Sequence, residues 1–301
     1  MAKVRPRRRT IIFERVAFIG IGLIGASMAL AMRRAGVGGT MVACARKAKT
    51  LKTARDLKIV DETTTNYAKA VQDADLVVIA TPVGTYESIA KAISPHLKDG
   101  AVVTDVGSVK QEIIQAVSPH LPKGVHFVPG HPIAGTEHSG PQAGFAELFE
   151  GRWCILTPLP RTSKKVVGNV ATLWRKLGAR VDIMEPKHHD IVLAITSHLP
   201  HLIAYTIVGT ATDLGDDLRR EVIKYSASGF RDFTRIAASD PVMWRDVFLS
   251  NKDAVLDTLQ RFNEDLTTLQ RAIRRDDGKA LEDLFTRTRA IRRGIIDAKQ
   301  A

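Results

Sequence analysis

Gly20-Ile21-Gly22-Leu23-Ile24-Gly25 stands between the apolar run Val16 to Ile19 and the helix-forming stretch Ala26 to Arg34. A lone G-x-G-x-x-G says little, but one that leaves a strand and opens a helix has a mechanism. Gly20 permits a tight turn, Gly22 lets a pyrophosphate approach the backbone, and Gly25 allows close helix packing. The helix N-terminus then faces the phosphates. These six residues predict a dinucleotide cradle and the first βα unit of a doubly wound sheet.

Outward from there, short β-rich runs alternate with amphipathic or Ala-rich segments as far as Met184: VAFIG, TMVACA, DLVVIATPV, AVVTDVGS, VHFVPG, WCILTP and ARVDIM. Such alternation predicts a mostly parallel sheet with helices on both faces. After Glu185-Pro186 the strands stop. His188 to Ala211 reads as a helix apolar nearly all round, which implies burial on every side or in a subunit interface. Asp240-Pro241 supplies an N-cap and an N1 proline. Val255, Leu259, Phe262, Leu266, Leu269 and Ile273 then form one stripe of a long helix that must pack on a partner. Asp276-Asp277-Gly278 ends it, and a last helix from about Lys279 carries Leu281, Leu284, Phe285 and Ile291 on one side. The expected organisation is a basic tail (1–12), an α/β Rossmann-type doubly wound domain (13–185) and an all-α substrate and dimerisation domain (186–301), assembled as a homodimer.

With 301 residues and 45% hydrophobic content, the chain can bury a core in each of two domains. Its net charge of +12 arises from 44 Lys+Arg against 32 Asp+Glu. The surplus lies at the ends: Lys3, Arg5, Arg7, Arg8 and Arg9, then Arg287, Arg289, Arg292, Arg293 and Lys299. This field favours anionic ligands. No helix-turn-helix, zinc finger or aromatic RNA-binding motif accompanies it, so a solvated tail and helix face are expected rather than a nucleic-acid partner. Arg7-Arg8-Arg9 followed by the uncharged run Val16 to Met32 imitates a secretory signal. The fingerprint glycines inside that run, which is short for a membrane span, favour instead a cytoplasmic protein with no membrane partner. Cys44 and Cys154 sit in apolar strand-like runs and read as reduced core thiols.

About twenty residues past the glycines, an acid would bind the adenosine ribose 2′-hydroxyl. The strand there ends as Ala43-Cys44-Ala45-Arg46-Lys47 instead. With Arg46, Lys47 and Lys49 close by, this favours a 2′-phosphate, hence NADP, or a relaxed choice between NADP and NAD.

In a doubly wound sheet, ligands sit at the carboxyl ends of the strands. Three segments converge there: Thr81-Pro82-Val83, Asp105-Val-Gly-Ser108-Val-Lys110, and Gly130-His131-Pro-Ile-Ala-Gly-Thr136-Glu137-His-Ser-Gly-Pro141. His131, in a glycine- and proline-rich turn, is placed to face a cleft as a general base. Ser108 can hydrogen-bond a histidine ring and reach the nicotinamide side of the cofactor. The helical half adds Thr196-Ser197-His198-Leu-Pro-His201, the arginines Arg231 and Arg235, and Trp244. A guanidinium matches a carboxylate's planar fork. His198 and His201 share a helix face, but no neighbouring cluster completes a metal site, and none is expected.

Together, GIGLIG, ATPV, DVGSVK, GHPIAGTEHSGP, TSHLPH, GFRDFTRIA and DPVMW, in this order, resemble the prephenate/arogenate dehydrogenases, the TyrA-type cyclohexadienyl dehydrogenases of tyrosine biosynthesis. The resemblance runs from about Val16 to the C-terminus and implies a Rossmann domain followed by a helical dimerisation domain. It implies that His131 deprotonates the ring C4 hydroxyl as hydride leaves that carbon, and that Ser108 bridges this histidine and the nicotinamide. Arg235 matches the arginine that binds the ring carboxylate. Glu137 matches an acid that helps gate the site, and His201 a histidine near the substrate side chain. Thr136, Ser197, His198 and Trp244 would line the pocket. Gly20, Ile21, Gly22, Leu23, Ile24, Gly25, Arg46, Thr81, Pro82 and Ser108 are the cofactor-binding expectations.

Two other readings share parts of this plan. A β-hydroxyacid dehydrogenase would need a catalytic lysine on the helical half, and only Lys224 or Lys252 could serve. A dinucleotide-sensing binding protein would leave His131, Ser108 and Arg235 without a task.

Overall fold

The computed structural model describes residues 11–212, 221, 224, 225 and 227–297. The tail cations Lys3 to Arg9, and Lys299, lie outside the described residues.

Apolar β-branched runs form the central sheet. Strands β1 (Phe13–Ile19), β2 (Gly38–Cys44), β3 (Glu62–Thr64), β4 (Leu76–Ile79), β5 (Val102–Asp105) and β6 (His126–Val128) pair in the order β3-β2-β1-β4-β5-β6, all parallel. Helices α1 (Leu23–Ala35), α2 (Ala48–Asp56), α3 (Tyr67–Val71), α4 (Tyr86–Ile93) and α5 (Gln111–Val117) connect them. The pleat sends alternate residues to opposite faces. Val16 and Phe18 join one core with Met28 and Met32 of α1, while Ala17 and Ile19 join another with Ile89 and Ile93 of α4 and Ile113 of α5. This is the doubly wound arrangement expected from the alternation.

The last two apolar runs do not extend that sheet. β7 (Gly130–Pro132), β8 (Trp153–Leu156) and β9 (Arg180–Ile183) form a separate sheet in the order β7-β8-β9, with β7 antiparallel to β8, and helix α6 (Lys164–Lys176) connecting β8 to β9. Pro129, which can donate no ladder hydrogen bond, separates β6 from β7. The short edge strand β3 escapes sequence reading because Glu62-Thr63-Thr64 is polar and only partly covered.

From Pro186 the chain is helical: α7 (Pro186–Leu193), a wide π turn over Ala194–His198, and α8 (Leu199–Thr212). The wide turn has a local cause, since Pro200 lacks an N–H and its ring would collide with the carbonyl of residue 196 in a regular helix. Helices α9 (Ser228–Thr234) and α10 (Pro241–Ser250) follow, and the Asp240 carboxylate caps α10 by accepting from the amides of Val242 and Met243. Asn251 interrupts what the sequence suggested as a single long helix. The segment Pro186–Ala211 is long and apolar enough to cross a membrane, by length and composition alone. Ile191, Ile195 and Ile207 along it are exposed.

The residues to Lys252 form one compact unit, and those from Asp253 form another. Helices α11 (Lys252–Arg274) and α12 (Gly278–Asp297) account for the second. Leu266 and Ile273 of α11, and Phe285 and Ile291 of α12, remain exposed on it.

Candidate active site

Adjacent strand ends define the crevice. Ile19 pairs with Ile79 and Ile79 with Asp105, so the loops after β1, β4 and β5 leave the sheet side by side at the point where strand order reverses. Gly20 has φ +95°, and a Cβ there would stand 2.4 Å from the Ala80 carbonyl oxygen. At Gly25 it would stand 2.7 Å from the Gly20 carbonyl oxygen. Both positions exclude any side chain. A Cβ at Gly22 meets nothing within 4 Å. Gly22 also caps α1 with no side-chain hydrogen bond and no acid in the first turn, leaving open space in front of unpaired amides. That geometry fits a pyrophosphate. Ile21 and Leu23 are buried and anchor the loop, while Ile24 is half-buried. Thr81 lies against Gly20 with its Oγ1 2.9 Å from that of Thr85, and Pro82 is exposed beside it. Arg46, Lys47 and Lys49 are exposed beyond the end of β2.

The loop after β5 is tied down by a buried ion pair. Lys110 Nζ donates to Asp105 Oδ2 at 2.5 Å and to the Gly130 carbonyl at 2.6 Å. The Gly130 amide donates to Asp105 Oδ1 at 3.1 Å, and the Gly107 amide to Asp105 Oδ2 at 2.8 Å. Both charged side chains are fully buried. Burial pushes the Lys110 ammonium below its ordinary pKa, and Asp105 opposes that shift. The knot fixes the Ser108 loop against the residue preceding His131.

His131 is buried and lies on strand β7, paired with Ile155 of β8, rather than in the open turn expected for it. Its ring partner also differs from expectation. His131 Nδ1 lies 2.9 Å from Nε2 of His189, and His189 Nδ1 lies 2.8 Å from Asp190 Oδ1. Ser108 Oγ has no hydrogen-bond partner among the described residues and is half-buried at the crevice. Asp190 reaches further: its Oδ1 accepts from the Lys110 amide at 2.8 Å and its Oδ2 from the Gln111 amide at 2.9 Å, at the start of α5. Burial, with His189, Lys110 and His198 adding to it, holds the His131 pKa well below the usual histidine value. A neutral imidazole at neutral pH can accept a proton.

Across the site, Arg235 is 60% exposed and its Nη1 donates to Glu137 Oε2 at 3.2 Å. His201 Nδ1 donates to the Ser197 carbonyl at 2.8 Å, and its ring stacks on Trp244 with centroids 3.6 Å apart. Arg235 is close enough to His201 to depress its basicity, after the larger effect of burial. His198 Nδ1 accepts from Asn251 Nδ2 at 3.1 Å, and Asn251 Nδ2 also donates to the Asp190 carbonyl at 2.8 Å. Neither histidine of the 198/201 pair is directed to a shared metal by these bonds. Thr136 is exposed, with Oγ1 accepting from the His138 amide at 3.2 Å, and Ser197 is half-buried. Arg231 is exposed.

Lys110, His189, Asp190 and Asn251 received no role from the sequence. One signal for two of them was available: Lys187-His188-His189-Asp190 is a polar run opening a helix that is otherwise apolar.

The buried histidines make stability depend on pH. Burial lowers the His198 pKa to about 4. A folded pKa below the unfolded one near 6.5 gives stability that is full above pH 6.5 and lost as pH falls towards 4. The expected loss from His198 alone is about 3 kcal/mol at the acid end, and the lowered values of His131, His189 and His201 act in the same direction. Urea unfolding at pH 7.5 and 4.5 checks this; coincident midpoints would refute it.

A neutral imidazole at the carboxyl edge of a Rossmann-type sheet, beside a cradle for phosphates, is the arrangement of an NAD(P)-dependent oxidoreductase. Comparison with known proteins narrows that class. Residues 28–183 match the family described as prephenate dehydrogenase, nucleotide-binding domain, and residues 185–287 match prephenate dehydrogenase, dimerization domain. A cyclohexadienyl dehydrogenase from Zymomonas mobilis is 40% identical over 281 residues, covering 93% of this chain and 96% of that protein. The prephenate dehydrogenase of Bacillus subtilis is 33% identical over 283 residues, covering 94% of this chain and 76% of that protein. Among solved structures, a prephenate dehydrogenase from Aquifex aeolicus in complex with hydroxyphenyl propionate and NAD+ superposes with a TM-score of 0.87 at 38% identity, covering 94% of this chain and 98% of that one. The chain belongs to the prephenate dehydrogenase family.

Proposed function

We propose that the chain catalyses the oxidative decarboxylation of prephenate, arogenate or both, passing hydride to a nicotinamide cofactor. The observation that carries this is His131, a buried neutral base at the edge of the crevice, with Arg235 available across it to hold a carboxylate. His131 takes the proton of the ring C4 hydroxyl while the bound cofactor supplies the hydride acceptor. The resulting vinylogous β-keto acid breaks its bond to the ring carboxylate and releases carbon dioxide, because the ring becomes aromatic. The protein has to orient the ring, accept one proton and keep the hydride acceptor in line. Ser108, whose hydroxyl has no partner among the described residues, serves to bridge His131 and the nicotinamide. Thr136, Ser197, His198, His201 and Trp244 line the pocket. Glu137, paired with Arg235 in the absence of substrate, releases the guanidinium when the carboxylate arrives.

The cofactor choice is NADP or a relaxed use of both cofactors, supported by Ala45 in place of an acid and by the exposed cations Arg46, Lys47 and Lys49. A functional division near residue 185 is supported by the two family matches, one ending at residue 183 and the other beginning at residue 185. A homodimer through the helical half gives cover to Ile191, Ile195, Ile207, Leu266, Ile273 and Phe285, all exposed in the single chain. The two cysteines, buried and unpaired, suit a reducing cytoplasm.

The test is formation of reduced nicotinamide by purified protein with prephenate and arogenate, each paired with NAD and NADP. Turnover in one or more pairings is expected; silence in all four with cofactor still bound would overturn the reading. Replacing Arg235 with Gln removes a charge-assisted clamp worth about 1.5–3 kcal/mol, so KM should rise about 10- to 100-fold with kcat little changed. An unaltered KM would remove Arg235 from substrate binding.

A further inference from the structure

We propose that His189, on helix α7, sets the tautomer of His131 and so decides which ring nitrogen of His131 is the base. This deepens the dehydrogenase reading and rests on it for its consequence in catalysis.

The hydrogen-bond row Asp190 to His189 to His131 admits one proton arrangement. Asp190 accepts at both oxygens, from the His189 ring and from the amides of Lys110 and Gln111. Burial works against its charge, but these donors hold its pKa below the usual carboxylate range. An ionised carboxylate has only lone pairs, so the proton lies on His189 Nδ1. His189 is itself kept neutral, chiefly by burial, and a neutral imidazole carrying a proton on Nδ1 presents a lone pair at Nε2. That lone pair faces His131 Nδ1 across 2.9 Å. His131 Nδ1 must therefore carry a proton, because a second lone pair there would leave two acceptors in contact. A neutral His131 protonated at Nδ1 bears its lone pair at Nε2, the nitrogen with no partner among the described residues.

The row does more than orient. When Nε2 takes the substrate proton, the imidazolium charge strengthens the Nδ1–H bond to His189 and polarises the next bond towards Asp190. Asp190 also holds the amides of Lys110 and Gln111 at the start of α5, two and three residues beyond Ser108. One carboxylate thereby registers the base and the Ser108 loop against each other. The groups facing His131 are Lys110 from the loop after β5, His189 from α7, His198 from the π turn, and Cys154 of β8 against its backbone. Among these, only His189 holds a ring nitrogen of His131 in a hydrogen bond. His189 is a positioning residue and does not touch the reacting atoms.

The tautomer can be read directly by nitrogen NMR on the full-length protein labelled with 15N-histidine, the His131 signals being assigned by their loss in His131→Asn. At pH 7.5, without substrate, His131 is expected to carry its proton on Nδ1 with Nε2 bare. His189→Met removes the acceptor and should give mixed tautomers, a kcat about 100-fold lower and a KM within a fewfold of the original, as when the orienting partner of a catalytic histidine is removed. His189→Gln places an amide oxygen where Nε2 stood and should restore the Nδ1–H tautomer and most of kcat. A wild-type His131 protonated on Nε2 overturns the proposal, whatever the variants do. So does a His189→Met protein that keeps both tautomer and kcat. Because the tautomer is measured without substrate, failure here is distinct from failure of the dehydrogenase reading, which shows as absent turnover in the wild type.

Discussion

Replacing His131 with Asn should lower kcat about a thousandfold, with KM changed only a fewfold, in assays of reduced-nicotinamide formation. General-base catalysis supplies on the order of 10²–10⁴ in rate, and it is felt in the transition state, where the hydroxyl proton is in flight. Asn places its amide where Nδ1 stood and can keep the hydrogen bond to His189; it ends short of the Nε2 position, but the ring carboxylate is still held elsewhere, so ground-state binding should largely survive. It cannot take up a proton. The low pKa of His131, set first by burial and then by His189, Lys110 and His198, adds a second expectation. The acid limb of the wild-type kcat/KM profile should lie below pH 6.5, since the base stays unprotonated under mildly acid conditions. Near-normal turnover in His131→Asn would take the residue out of the chemistry.

Lys110→Met should have the largest effect on stability. The substitution roughly keeps side-chain volume but leaves Asp105 buried without its counter-ion, and it removes the donor to the Gly130 carbonyl. Breaking a buried pair from one side costs about 3–5 kcal/mol because the remaining charge has nowhere to go. Tyr86 Oη, 3.4 Å from Asp105 Oδ2, and the Gly107 amide are too weak to replace an ammonium. Denaturant unfolding of Lys110→Met should show this loss, and adding Asp105→Asn should recover part of it by removing the stranded charge. Equal unfolding midpoints for Lys110→Met and the wild type would mean that the pair holds nothing together. The same lesion frees β7 from the loop after β5, so activity should fall along with stability.

Much of the fold was legible because it rests on local rules. The strand, glycine turn and helix at residues 13–35 announce themselves through spacing and small residues, and Asp240-Pro241 marks a helix start through chemistry internal to four residues. Reading was poorer where the signal was short or relational. Glu62–Thr64 becomes a strand only because β2 offers it an edge, and Trp153–Leu156 leaves the main sheet because β7 is there to pair with it. A run of apolar residues says that a strand is buried, not which sheet buries it.

The site divides in the same way. The sequence by itself pointed to a phosphate cradle at Gly20, Gly22 and Gly25 and nominated His131, Ser108 and Arg235 as candidates for the chemistry, since backbone conformation and functional-group chemistry are properties of the residues themselves. Only the tertiary structure decided that His131 leans on His189 rather than Ser108, that Lys110 is a buried counter-ion, and that Asp190 grips the start of α5 from a helix some eighty residues further along the chain. Those facts depend on how one helix docks on one sheet, and docking is fixed by the packing of many side chains at once, which no short stretch of sequence encodes.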